Sequence, residues 1–198
     1  MFFIKLLTLI FMAGSVMAAP NDAERDLSQL RSMGLPGGDA IYIFTSVTCP
    51  HCADFHKNIL PEIIKKYAKS GRAQVFFVDA GSDLAITASM LARCLPMDKS
   101  EKFMSQVFQN QSEWLLQDKA DDKLIKYAVA AGMTTREAQK CLANFDLKTT
   151  IQDQWVNLSK LYDAKYLPTV AVRRGNIVKT YTGSDKAAVL NGMEYDFQ

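Results

Sequence analysis

The chain has few of the residues that most often carry chemistry. Its 198 residues include four cysteines, two histidines and two tryptophans. Four cysteines are too few for a disulfide-scaffolded miniprotein, and a core of this size needs none, so each must be explained singly. With only His51 and His56, and no second Cys-x-x-Cys, a zinc site lacks its usual ligand spacing. An excess of one charge is also missing. Lys and Arg number 23 against 21 Asp and Glu, a net of +2, which gives no support for nucleic acid or an anionic membrane surface as the main partner. At 48 % hydrophobic and 22 % charged, the chain has enough apolar surface to offset its own entropy, which argues against disorder. There is no internal repeat and no low-complexity segment. Long apolar runs are absent except at the start. There, Lys5 precedes the run Leu6 to Met12 and the small residues Ala13 to Ala18. Val16 and Ala18 suit the positions before a cleavage site, so residues 1–18 are predicted to be a signal peptide cut after Ala18 or Ala19. An uncleaved anchor fits less well, because the stretch falls short of the ~20 residues that span a bilayer. The mature protein is expected to be soluble, exported, and in a compartment where disulfides persist.

Residues 19–198 are read as a single domain of α/β class with a mixed central sheet. Ala23 to Met33 has the spacing of a short helix. Ile41 to Ser46, β-branched and aromatic, reads as a buried strand, and Gln74 to Asp79 as a second. Between them Phe55, Ile59, Leu60, Ile63, Ile64 and Tyr67 recur at helical spacing, with a kink expected at Pro61 and an end at Ser70-Gly71. Strand, helix, strand is one βαβ unit with a parallel pair. From about 81 to 166 the pattern is wholly helical, in runs Leu84–Leu95, Lys99–Phe108, Asp121–Ala131, Thr135–Leu142 and Thr149–Tyr162. It is read as an insertion in the sheet domain. Two strands, Thr169–Arg173 and Ile177–Tyr181, flank Arg174-Gly175-Asn176 as a hairpin. A closing helix capped by Ser184 or Asp185 follows.

Cys49-Pro50-His51-Cys52, at the junction of a buried strand and a helix, is the strongest chemical signal. It places Cys49 at the helix N-terminus, where unpaired N–H groups and the helix dipole favour an anion. Cys52 lies about one turn on, within disulfide reach. Pro50 suits the first turn because its missing N–H is not needed there, and His51 can add a positive charge or a donor. The competing readings are a structural disulfide and a zinc site. A c-type haem site is excluded because Ala53 stands where histidine is required. Leu167-Pro168-Thr169 is a weaker signal. A cis bond before Pro168, opposite the Cys-x-x-Cys helix, would leave backbone groups free for a substrate chain. His56 reads as a partly exposed helix residue rather than a catalyst. Trp114 and Trp155 read as core or helix packing.

Cys49-Pro50-His51-Cys52, the following Asp54-Phe55-His56-Lys57 and Ile59-Leu60-Pro61-Glu62-Ile63, the helical insertion and Leu167-Pro168-Thr169 together resemble the DsbA family. These are bacterial periplasmic thiol–disulfide oxidoreductases of thioredoxin fold. The resemblance runs from Ile41 to the C-terminal helix and implies a thioredoxin-like fold with an inserted helical domain. It also implies that Cys49 is the attacked sulfur and Cys52 its resolving partner. Pro50 and His51 would tune the potential, Pro168 would be the cis-proline, and Leu167 would offer backbone contacts to substrate. One departure is plain. Many members carry a buried Glu six residues before the first cysteine, where this chain has Ile43, and Asp79 is a candidate replacement. Some DsbA-like proteins also hold a second disulfide in the insertion. The even cysteine count of an exported chain favours a structural Cys94–Cys141 pair over two separately buried thiols.

The expected activity is donation of the Cys49–Cys52 disulfide to unfolded or reduced exported proteins in the periplasm, by a monomer. No metal, cofactor or nucleic acid is expected, and the resemblance implies reoxidation by a DsbB-type membrane protein. The alternatives are a disulfide isomerase or reductase, a non-catalytic chaperone of the same fold, and a metal carrier.

Overall fold

The computed structural model describes residues 26–79 and 81–197. The predicted signal peptide lies outside them. After a 3-10 turn at Asp26–Gln29, the strands are β1 (Arg31–Met33), β2 (Asp39–Thr45), β3 (Ala73–Asp79), β4 (Thr169–Arg174) and β5 (Ile177–Thr182). They form one mixed sheet in the order β1-β3-β2-β4-β5, with β2 and β3 parallel and the other pairs antiparallel. The central position of β2 explains its composition. Both its faces are covered, so Ala40 to Thr45 is buried without a polar alternation.

Alternate side chains of the sheet serve two layers. Ile41, Ile43, Val75, Phe77, Val170 and Val172 pack against Phe55, Ile59, Ile63 and Tyr67, and against Val189 and Met193 of the C-terminal helix. Tyr42, Phe44, Phe76, Val78 and Ala171 face the other way, onto Leu158 and Tyr162. The first layer comprises α1 (Pro50–Asn58), α2 (Leu60–Ile63) and a π turn at Ile64–Ala68. The chain breaks at Ile59, two residues before Pro61. The proline ring cannot sit against the carbonyl four residues back and has no N–H to donate, so α1 stops and α2 restarts with Pro61 in its first turn.

Between β3 and β4 run six helices, α3 (Asp83–Arg93), α4 (Met97–Gln109), α5 (Gln111–Trp114), α6 (Ala120–Ala130), α7 (Thr135–Leu142) and α8 (Phe145–Leu161). α9 (Lys186–Asp196) closes the chain, capped by Asp185. The core of the insertion gathers Leu91, Phe103, Val107, Trp114, Leu124 and Ala128, and it includes Val47 and Cys52. The insertion therefore packs over the end of β2 where α1 begins.

Two sequence expectations are corrected. Arg31–Met33 is not helical; it is an edge strand antiparallel to β3, with Arg31 opposite Phe77. The helical spacing of Leu27 and Leu30 extends no further than the 3-10 turn, because the open edge of β3 supplies backbone partners that a lone short helix lacks. α8 starts at Phe145, four residues earlier than expected, because the Asn144 side chain caps it by accepting from Leu147 N–H. α5 falls inside the stretch read as wholly helical, between the runs that end at Phe108 and begin at Asp121.

Candidate active site

The site is built where β2 turns into α1. A turn closed by Cys49 N–H donating to the Ser46 carbonyl (3.1 Å) delivers Cys49 to the N-cap position in extended conformation, with Pro50 as the first helical residue. The Cys49 carbonyl accepts from Cys52 N–H (3.1 Å) and Ala53 N–H (3.2 Å). Its side chain takes no part in capping, so the sulfur is free to face outward. Pro50 and His51 are exposed, and Cys49 is half-buried. Cys52, one turn on, is fully buried, with its sulfur 3.5 Å from Ser46 N–H. Both cysteines are free thiols in this structure. Burial pushes the Cys52 thiol well above its ordinary value; the Ser46 N–H opposes this and the neighbouring Cys49 adds to it. The two sulfurs are thus unlike: one is accessible at a positive helix end, and the other is held protonated beneath it.

The second half of the site comes from far along the chain. β4 runs antiparallel to β2 with Thr169 opposite Phe44, so the segment before β4 lies beside the end of β2. The Leu167–Pro168 peptide bond is cis. The Leu167 carbonyl stands 3.9 Å from the Cys49 sulfur, 118 residues away in sequence. Thr169 holds this segment in place, its hydroxyl donating to the Tyr166 carbonyl (2.7 Å) and meeting Thr182 Oγ1 (3.0 Å). Cys49, Cys52, Leu167 and Pro168 thus gather at one end of the sheet, with Pro50 and His51 on its surface. Cys94 and Cys141 lie apart from this end, where they are bonded to each other between the C-terminal end of α3 and α7.

Ile43 is fully buried in the apolar layer between sheet and α1, so the departure from the family pattern leaves an aliphatic side chain there. Asp79, the candidate replacement acid, is otherwise engaged. Its carboxylate accepts from Arg31 (3.0 Å) and from the Ser89 hydroxyl (2.7 Å). Burial works to raise its pKa, but Arg31, Arg93 and Ser89 outweigh burial and hold the carboxyl below its ordinary value. It stays an anion paired with Arg31.

Sequence reasoning missed two contacts. His56 is half-buried, its ring stacked on Phe108 of α4 (centroids 3.5 Å apart) and its Nε2 3.2 Å from Thr45 Oγ1. A cavity of about 450 Å³ lies behind it, between the α1–α2 segment and α4. Burial, aided by the nearby Arg31 charge, pushes the His56 pKa down to about 3, with Asp79 opposing. The other is Gln111, which reaches from α5 to the backbone of the Cys49 turn. No local pattern announces a glutamine with that reach.

His56 and Asp79 set an expectation for acid stability. Between about pH 6.5 and 3 the unfolded chain binds a proton at His56 that the folded chain refuses, so stability falls as pH falls through that window. Asp79, depressed in the folded state, adds a further loss below its ordinary range near pH 4. His56→Phe keeps the stack on Phe108 and is expected to remove the loss between pH 6.5 and 4 in urea titrations. Asp79→Asn is expected to cost about 3 kcal/mol at pH 7, because Arg31, whose side chain is only 6 % exposed, loses its counter-charge. An unchanged pH profile in His56→Phe would remove the histidine from this account.

A thioredoxin family model matches residues 34–189, and the chain belongs to that family. Its fold is also that of solved structures at low sequence identity. Wolbachia pipientis alpha-DsbA1 superposes with a TM-score of 0.75 at 16 % identity, covering 92 % of this chain and 93 % of that one. BdbD from Bacillus subtilis, in its oxidised form, gives 0.69 at 16 % identity over 86 % and 94 %. Among curated proteins, a Rickettsia bellii (strain RML369-C) protein bearing the name "Putative protein-disulfide oxidoreductase" is 30 % identical over 112 residues. That match takes in 54 % of this chain and 42 % of the relative, so the chain spans less than half the length of that protein.

Proposed function

We propose that the protein is a thiol–disulfide oxidoreductase of DsbA type that donates the Cys49–Cys52 disulfide to unfolded or reduced exported proteins in the periplasm. A substrate thiolate attacks the Cys49 sulfur, forming a mixed disulfide and expelling Cys52 as a thiolate, which its buried site returns to the thiol by taking up a proton. A second substrate thiolate then attacks the substrate sulfur of the mixed disulfide and expels Cys49 as a thiolate. The substrate gains one disulfide, and the protein leaves with two electrons as a dithiol. A DsbB-type membrane protein would reoxidise it, and a single chain suffices for the exchange.

The observation that carries this reading is the pairing of unlike sulfurs beside the Leu167 carbonyl. Cys49 sits half-buried at a helix N-terminus, 3.9 Å from the Leu167 carbonyl, with Cys52 sealed behind it. A leaving sulfur at a positive helix end is stabilised as an anion, which favours passing the disulfide on. An extended substrate backbone alongside Leu167–Pro168 would find hydrogen-bonding groups there. Pro50 and His51, exposed next to Cys49, are placed to tune that exchange. Equilibration with glutathione redox buffers, read by alkylation of Cys49, tests the reading. We expect the pair to be reduced at a potential well above that of thioredoxin, near −270 mV. A thioredoxin-like value would favour a reductase.

A further inference from the structure

The structure assigns Gln111 of the helical insertion as a positioning residue that braces the Cys49 turn and stabilises the dithiol form over the disulfide form. The assignment rests on the exchange chemistry proposed above.

Gln111 is a buried polar residue, 8 % exposed, on a short helix of four residues. Its side-chain amide nitrogen lies 2.6 Å from the Val47 carbonyl and 3.1 Å from the Cys49 carbonyl. One NH₂ group carries two protons, so it can serve both acceptors at once. The two carbonyls flank Thr48 within the turn that places Cys49 at the N-cap. Val47 is itself buried, 2 % exposed, so its carbonyl needs a protein partner. The amide is fixed from behind. Trp114, on the same helix, is fully buried, and its ring nitrogen donates to the Val107 carbonyl at 2.8 Å. This ties α5 to α4. The insertion thereby holds the peptide unit whose neighbouring sulfur does the chemistry.

The brace matters unequally in the two redox forms. In the disulfide, the bond to Cys52 tethers Cys49 to the first turn of α1 whether or not Gln111 is present. In the dithiol that tether is gone, and the backbone at Cys49 is held by its hydrogen bonds alone. Gln111 therefore contributes more to the reduced form, and removing it makes the protein a weaker oxidant. The Cys49 carbonyl already accepts two helical N–H groups. Gln111 adds a third donor to the same oxygen, from outside the helix.

The test compares wild type with Gln111→Glu and Gln111→Met in glutathione buffers at pH 7. Glutamate keeps the shape and removes both donors, while methionine keeps the length with no polar atom. Both are expected to shift the exchange constant about fivefold toward the disulfide form, the scale of one or two lost hydrogen bonds. Both should slow alkylation of Cys49 in the reduced protein. Both should also lower the melting temperature of the reduced protein more than that of the oxidised one. Equal losses in the two forms with an unmoved exchange constant would overturn the assignment and leave Gln111 a purely structural residue. If the wild-type pair itself fails to equilibrate with glutathione, it is the oxidoreductase reading that falls instead.

Discussion

Cys49→Ser is expected to reduce oxidation of a model dithiol to the uncatalysed background, whereas Cys52→Ser should accumulate a covalent adduct with the substrate. The two cysteines differ in access, and this asymmetry separates the outcomes. Only Cys49 is open to attack, and the sulfur beneath it is fully buried. Serine at Cys49 leaves no sulfur that a substrate can reach at the end of β2. Serine at Cys52 leaves Cys49 at its helix N-terminus but removes the internal thiol that could resolve a mixed disulfide. Fold is expected to survive both changes, since the swap is small and Cys49 takes no part in capping. Mass spectrometry of each variant after incubation with a cysteine-containing peptide disulfide would show the adduct on Cys52→Ser alone. Equal adducts on both variants would mean that the accessible sulfur has been misassigned.

Removing the second disulfide is expected to cost about 4 kcal/mol of stability, and about 10 °C of melting temperature, in Cys94→Ala/Cys141→Ala. The bond closes a separation of 47 residues, and restricting the unfolded chain over a loop of that length accounts for the size of the effect. Its position gives a second reason. α7 fully buries only Ala138 and Cys141, with Leu142 partly buried and the rest polar, so little apolar area holds it to the insertion. The bridge joins it to the end of α3 beside Ile86, Met90 and Ile151. Urea unfolding of the double variant measures the cost. A loss below about 1 kcal/mol would show that packing alone holds α7. The exchange constant of Cys49–Cys52 should stay close to wild type, because the bridge lies in a different part of the insertion from Gln111 and the Cys49 turn.

The mixed sheet, its βαβ start, the hairpin and most of the helical insertion were legible because each is written in local pattern. β2 and β3 are short, branched and aromatic. The helices from α3 to α8 carry apolar residues at helical spacing, and one of them opens with Thr134 and Glu137 capping each other reciprocally. The two halves of the site were also visible as motifs, Cys49 to Cys52 and Leu167-Pro168. What escaped were features that depend on a partner distant in sequence. Arg31–Met33 looks helical in isolation and becomes a strand because β3 offers an open edge. His56 is the partly exposed helix residue its position suggests, but its stack on Phe108 is written nowhere in the local sequence. Asp79 is suggestive as a replacement acid until Arg31 and Ser89 are seen to occupy it.

The order of residues alone indicated that a pair of cysteines would sit at a strand–helix junction, since a branched, aromatic run ends just before Cys49 and an amphipathic helical pattern begins after Pro50. Which groups would surround those sulfurs was left to the folded chain. Contacts such as Gln111 to the Val47 and Cys49 carbonyls, or Leu167 to Cys49, bridge 62 to 118 residues. They form only after sheet and insertion have packed, because no local preference encodes a distance across the core.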